Sequence, residues 1–76
     1  MTNNTIRQAE IRVIAPDMSR GTLNALGLSG ITTVGELVAL GKDGTGSLRG
    51  IGSRGMMEIS DFLEGLGMLR EWEENL

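Results

Sequence analysis

Glycines constrain the fold of this chain more than any other feature, because they interrupt its apolar runs at short intervals. The stretch LRGIGSRGMMEI, residues 48–59, places three glycines within six residues, just ahead of a helix-compatible run. Glycine loses more conformational entropy on folding than other residues, so such a cluster indicates a close backbone approach or unusual dihedral angles. Glycine is also favoured just past the end of a helix. The chain is therefore predicted to form short helices that glycines terminate.

Two of these helices are predicted from their capping residues. The first is a short helix that Asp17 or Ser19 can cap and that Gly27 stops. The second opens with Thr33-x-x-Glu36, the spacing of a capping box, in which each side chain bonds the backbone of the other residue. Apolar residues then follow in each segment, as expected for helices that pack against a core.

The longest periodic run is predicted to form a helix near residues 53–66, where apolar residues recur at threes and fours on one face. The segment KDGTGS before it, residues 42–47, is rich in turn residues and predicts a connector. The side chains expected to be buried in the core are Leu23, Leu37, Ile51, Ile59, Phe62 and Leu63.

An arm is predicted before the helices. Ile11 and Val13 alternate with other residues as in a strand, but a single strand has no partner here, so an extended or irregular arm ending at Pro16 is favoured. The predicted organisation is a flexible or extended arm at residues 1–16, a helical domain at 17–70 and an acidic C-terminal end at 71–76. The predicted fold class is all-α, a compact bundle of four or five short helices.

Composition argues against an enzyme. The chain has no Cys and no His, so it lacks the usual neutral-pH general base, and a Ser-His or Cys-His nucleophile is impossible. We expect no catalytic residue, metal, cofactor or small-molecule substrate. No apolar run approaches the ~20 residues of a membrane span, and the start MTNNTIRQ has no signal-peptide core. These features predict a cytoplasmic protein without a membrane partner.

The net charge of −3 is unevenly distributed. Residues 1–57 carry six basic and four acidic side chains, whereas residues 58–76 carry one basic and six acidic side chains. The first part is thus modestly basic, and the acidic end masks it in the total. The whole-chain charge argues against strong nonspecific binding of nucleic acid, but it leaves room for a small basic site.

The glycine stretch has the form of a helix-hairpin-helix motif, with Leu48 and Ile51 anchoring the turn. Its glycines would let the backbone approach a ligand, and the free N–H groups at the start of the next helix would point at an anion such as a phosphate. Arg49 and Arg54 flank the turn and can pair with phosphate oxygens. A fainter copy of the pattern, LSGITTVGELV at residues 28–38, predicts a second hairpin. A plain turn between two helices, without a ligand, remains the alternative.

From about Met18 to Met68 the chain resembles the C-terminal domain of the bacterial RNA polymerase alpha subunit. The features that carry the resemblance are GELV at 35–38, GIGSRGMMEI at 50–59 and GLGM at 65–68. The resemblance implies a compact, SAM-like helical domain that binds the minor groove of A·T-rich DNA. It also implies contacts with RNA polymerase or with a transcription regulator.

The candidate site combines residues expected from the motif with residues that the resemblance adds. By this resemblance, Asn24 and Arg54 fall on DNA-contacting positions of the family and Gly52 falls on its hairpin glycine. Glu58 falls on an acidic position near the DNA that could serve protein interaction. The family's principal minor-groove arginine falls on Gly21, with Arg20 one position earlier, which puts the groove contact in doubt. The DNA-binding candidates are Arg20, Asn24, Arg49, Gly50, Gly52, Ser53, Arg54 and Gly55.

Two functions from different classes are open at this point. The first is a small, transcription-related domain that binds double-stranded DNA weakly, with about two or three phosphate contacts and a marked salt dependence. The second is a protein–protein interaction module that keeps the fold and has lost DNA binding. The glycine hairpin favours the first, whereas Gly21 and the acidic net charge favour the second.

Overall fold

The chain folds into short helices joined by tight turns. A computed structural model describes residues 3–75, with Asn3 and Asn4 described by their backbone alone; Met1, Thr2 and Leu76 lie outside the described residues. The predicted all-α class is confirmed, since the described residues form helices and only one isolated β-bridge, between Glu10 and Thr33. The helices are α1 (Asn3–Gln8), α2 (Ile11–Ile14), α3 (Arg20–Leu28), α4 (Val34–Gly46), α5 (Ser53–Gly65) and α6 (Leu69–Glu74).

The predicted extended arm is wrong for the described residues, because α1 and α2 occupy that segment. Backbone bonds fix it against the start of α4: the N–H of Val34 donates to Ala9 at 3.1 Å, and the N–H of Ile11 donates to Thr32 at 2.9 Å. Ile11 is buried whereas Val13 is exposed, so a single helical turn, rather than an alternating strand, buries the apolar residue.

The predicted connector at 42–47 is also wrong, since residues 42–46 continue α4 beyond a kink. The kink lies at Gly41, whose φ of 80° and ψ of 167° are non-helical, so the helix changes direction at this glycine. The helix resumes because Thr45 faces the interior, where its hydroxyl donates to the carbonyl oxygen of Gly41 at 2.6 Å.

The last helix, α6, is part of the core. Trp72 is fully buried, and its indole N–H donates to the Thr45 hydroxyl at 3.0 Å. The side-chain amide of Asn75 donates to the carbonyl oxygen of Val38 at 2.9 Å. The acidic end predicted at 71–76 is thus docked, over its described residues, on both halves of the kinked α4.

The core follows the predicted pattern with two differences. Four of the six expected side chains are buried, whereas Leu23 and Phe62 are half-buried at the edge of the core. The buried set also includes Trp72, which closes the core from the C-terminal side. The side chains that are buried as expected are Leu37, Ile51, Ile59 and Leu63.

Two hairpins have the same turn, as the repeated Leu-x-Gly-Ile pattern predicts. In the turn between α3 and α4, Gly30 has a φ of 81°, and in the turn between α4 and α5, Gly50 has a φ of 90°. Both values lie in the left-handed region that favours glycine. Each glycine precedes an isoleucine, and Ile51 is buried whereas Ile31 is half-buried. The two hairpins differ at the start of the helix that follows.

Candidate nucleic-acid interface

The second hairpin is held against α3 by its first glycine. A Cβ on Gly50 would lie 3.1 Å from the Cβ of Ala25, so the absence of a side chain allows the turn to contact α3 closely. Farther along, a Cβ on the buried Gly55 would lie 3.4 Å from the hydroxyl oxygen of Thr22. Both positions are candidate site residues, but only Gly50, with its positive φ and its close contact with Ala25, has a structural reason to be glycine within the fold.

Gly52 has no such reason. Its φ of −101° and ψ of −165° are extended backbone that any L-residue adopts, and a Cβ there would meet no atom within 4 Å. Of the two reasons that the glycine cluster indicates, unusual dihedral angles do not apply to Gly52, because Gly50 makes the left-handed turn instead. The other expectation for Gly52, a close approach by a group outside the fold, stays a prediction.

The start of α5 has free backbone donors. Gly52 is the N-cap residue and supplies no side-chain acceptor, and no described residue accepts a hydrogen bond from the N–H groups of Ser53, Arg54 or Gly55. These groups belong to a helix of 13 residues, whose aligned peptide dipoles add a partial positive charge at this end.

The start of α4 is closed by its own side chains, which makes it a useful contrast. The Thr33 hydroxyl accepts from the N–H of Glu36 at 3.2 Å, and the Glu36 carboxylate accepts from the N–H of Thr33 at 3.0 Å. Hydrogen bonds from the backbone N–H groups of Thr32 and Thr33 lower the pKa of Glu36 to about 2. The predicted capping box is thus confirmed, and it leaves this helix start occupied by an internal carboxylate.

The start of α3 is likewise occupied. Ser19 is its N-cap, and the hydroxyl accepts from the N–H of Thr22 at 3.4 Å. Glu58 of α5 accepts a hydrogen bond from the backbone N–H of Ser19 at 2.7 Å, which lowers the pKa of the carboxyl, with a smaller contribution from the charge of Arg54. Sequence analysis missed this contact, because 39 residues separate the partners. Its only signal was an acidic residue one turn after Arg54.

The two candidate residues of α3 face solvent, away from the stripe that contacts the hairpin. Thr22 and Ala25 form that stripe and are buried. Asn24 lies about 100° around the helix from Ala25, and Arg20 lies farther around. Gly21, four residues before Ala25, is exposed and lies about 40° around the helix from Ala25. A Cβ there would meet nothing within 4 Å. The structure thus groups the hairpin residues and leaves Arg20 and Asn24 on an adjoining surface.

The two charged side chains that flank the second hairpin turn are both positive. Arg49 and Arg54 are exposed and form no ion pair with a described residue. The acidic end, in contrast, is partly neutralised: Glu71 accepts two bonds from the Arg7 guanidinium, at 2.5 and 2.7 Å, and Glu73 lies 3.8 Å from the Lys42 amine.

Other kinds of site find no support in the described part of the chain. Residues 3–75 contain no group of three or more His, Cys, Asp or Glu side chains placed to hold a metal ion. Within the same residues, no helix has the length and apolar character that crossing a bilayer requires.

These features define a small all-α domain with two glycine-turned hairpins, one of which ends in an open helix start. The resemblance to the RNA polymerase alpha subunit is confirmed by curated relatives. The chain is 41% identical to the DNA-directed RNA polymerase subunit alpha of Hydrogenobaculum sp. (strain Y04AAS1). This match extends over 51 residues and covers 67% of this chain. The corresponding subunit of Aquifex aeolicus is 40% identical and that of Mycoplasma mycoides 38% identical, each over 52 residues and 68% of this chain.

The matches cover only a small part of each alpha subunit. Each match spans 16% of the length of the alpha subunit, so this chain corresponds to about one sixth of those proteins. No protein-family model matches the chain. No solved structure matches it either.

Proposed function

We propose that this chain is a transcription-related domain that binds the backbone of double-stranded DNA through the second hairpin. The relatives named above are subunits of a DNA-directed RNA polymerase, which supports a role close to transcription. In this proposal a phosphate accepts hydrogen bonds from the N–H groups of Ser53, Arg54 and Gly55. The guanidinium groups of Arg49 and Arg54 add charge–charge attraction.

The difference between the two hairpins carries the proposal. Both have the same left-handed glycine turn, but α4 is capped by Thr33 and Glu36, whereas α5 begins with a glycine that offers no cap. A serine at position 52 would fit the extended backbone and supply that cap, so the fold itself gives no reason for glycine there. An external acceptor that needs the amides uncovered is a sufficient reason.

The proposed binding is weak. The hairpin offers about two or three phosphate contacts, and each contributes about 0.9 to the slope of log affinity against log salt. A contact of this kind holds the DNA backbone without reading sequence. Any preference for A·T-rich DNA must come from α3, where Asn24 is exposed and Arg20 lies one turn earlier.

The substitution Gly52→Ser tests the proposal, because it is expected to change stability and DNA binding in opposite directions. The new hydroxyl would accept from the amides of α5 and stabilise the helix start by a few tenths of a kcal/mol relative to glycine. The same hydroxyl would compete with phosphate and weaken DNA binding. Urea unfolding and a titration with a short A·T-rich duplex, followed by amide NMR at low salt, measure the two effects.

Two further variants separate charge from sequence preference. Arg54→Ala is expected to weaken binding to all duplexes and to flatten the salt slope by about one unit. Arg70→Ala, at an exposed position of α6, is the matched control and should leave the slope unchanged. Asn24→Ala should lower the preference for A·T-rich over G·C-rich duplexes at an unchanged slope.

The protein–protein interaction module is the other candidate function, and Gly21 favours it. Position 21, where the resemblance places the family's principal minor-groove arginine, has no side chain with which to enter a groove of DNA. If a duplex at low salt shifts none of the amides of residues 52–55, or if Gly52→Ser binds DNA as the parent does, the DNA proposal fails. A response of Glu58 and its neighbours to a protein partner would then support the interaction module.

A further inference from the structure

Two adjacent methionines of α5 have different surroundings. Met56 is half-buried and faces the end of α4, where a Cβ on Gly46 would lie 3.7 Å from the methyl carbon of Met56. Met57 lies about 100° farther around the helix and is 67% exposed. A single exposed apolar side chain is ordinary on a protein surface, so its significance depends on what lies beside it.

Met57 lies beside the open start of α5. Ser53 is four residues earlier and Arg54 three residues earlier, so both are neighbours of Met57 on the helix surface, at about 5–6 Å between Cβ atoms. Side chains on a helix lean towards its N-terminus, so Met57 covers part of the first turn. An apolar side chain therefore borders the N–H groups of residues 53–55, which the proposed function assigns to a phosphate.

The other large apolar side chains that are exposed in the described part of the chain lie elsewhere. Val13 and Ile14 belong to α2 and Leu28 belongs to α3, whereas Met57 belongs to the helix with the uncapped start. A phosphate in a DNA strand is joined on both sides to deoxyribose, whose C–H groups form an apolar surface. The first turn of α5 thus offers donors for the phosphate and an apolar neighbour for the sugar.

We infer that Met57 packs against a deoxyribose next to the phosphate at the start of α5. The inference rests on the proposed function and narrows its ligand to a phosphodiester with an adjoining sugar, rather than a free phosphate. The thioether side chain is unbranched and flexible, so it can adapt to a sugar whose position varies with the DNA sequence. Because the contact is apolar and releases no counterions, it adds to affinity and leaves the salt slope unchanged.

Met57→Ala tests the contact in titrations with a short duplex at several salt concentrations. It is expected to weaken duplex binding about three- to tenfold at an unchanged salt slope, because most of the apolar contact area is lost. Val13→Ala is the matched control, since Val13 is 69% exposed and lies on α2, and it should leave the affinity unchanged. Inorganic phosphate has no sugar, so it should shift the amides of residues 53–55 equally in the parent and in Met57→Ala.

Peroxide gives a second test at the same side chain. It transfers one oxygen atom to the thioether of an exposed methionine and is itself reduced to water, which leaves a polar sulfoxide. The oxidised parent should bind the duplex about three- to tenfold more weakly. Met57→Leu keeps an apolar side chain of similar volume and the other four methionines of the chain. It should bind as the parent does, before and after the same treatment.

Three results would overturn the inference while leaving the proposed function intact. These are duplex binding by Met57→Ala that equals the parent's, a salt slope flattened as expected for Arg54→Ala, and an equal loss of affinity for duplex and for inorganic phosphate. The last would show that the methionine acts on the amides and not on a sugar. A duplex that shifts none of the amides of residues 52–55 in the parent would contradict the proposed function and this inference together.

Discussion

The substitution Gly41→Ala addresses the kink of α4, on which the docking of the last helix depends. Gly41 has a φ of 80° and a ψ of 167°, a region of backbone space that is almost confined to glycine. A Cβ at this position would overlap the carbonyl oxygen of Asn75. The alanine must therefore strain the kink, and it must also displace the backbone of Asn75.

The magnitude follows from these two contributions. Backbone strain in such a region costs of order 1–3 kcal/mol. Displacing Asn75 would also weaken its hydrogen bond to Val38, which is worth about 1 kcal/mol. Replacing glycine by alanine also lowers the conformational entropy of the unfolded chain, which stabilises the folded state by about 0.4–1 kcal/mol and offsets part of the loss. The expected net loss in free energy of unfolding is about 1–3.5 kcal/mol, and the melting temperature should fall by roughly 4–28 °C.

Gly27→Ala is the matched control, because it makes the same chemical change in a helix where the Cβ meets nothing. It should stabilise the fold by up to about 1 kcal/mol through helix propensity. Urea unfolding followed by the fluorescence of Trp72 compares the two variants. If Gly41→Ala unfolds within about 0.5 kcal/mol of the parent, the account of the kink is wrong.

Two other predictions concern the caps and the core. Glu36 has a pKa of about 2 in the folded chain against an ordinary value of 4.5, so its stabilising contribution is present above about pH 4.5 and is lost as the pH falls towards 2. The difference in melting temperature between the parent and Glu36→Gln should therefore shrink over this range; a difference that stays constant from pH 6 to pH 2 would contradict the assignment. Trp72→Phe removes the donor to Thr45 inside the core and should cost about 1–3 kcal/mol in urea unfolding followed by circular dichroism. An unchanged transition midpoint would show that this hydrogen bond contributes nothing.

Local features of the fold could be predicted from the sequence. The Thr33–Glu36 capping box and the Ser19 cap are made within three residues, and the apolar spacing of α5 correctly gave the buried Ile59 and Leu63. The repeated Leu-x-Gly-Ile pattern also gave two equivalent turns. In each case the interacting groups are close in sequence, so the spacing alone carries the information.

Contacts between distant residues account for what the sequence did not predict. The second half of α4 forms because Thr45 meets Trp72, 27 residues later, and no local signal in KDGTGS distinguishes that helix from a turn. The position of the left-handed turn, at Gly50 and not at Gly52, has a similar origin. Both are glycines, so the sequence permits a positive φ at either position, and the contact with Ala25 goes with the turn at Gly50.

The ion pair between Arg7 and Glu71 joins residues that are 64 positions apart, so it connects the first helix directly to the last. α1 and α6 both pack on α4, and the backbone of Arg7 lies against Gly35. Opening one end helix removes a neighbour of the other, which makes the two ends a single cooperative unit in local unfolding. Amide protection in α1 and α6 should therefore be lost in one step, and α5, which also packs on α6, should lose part of its protection with them.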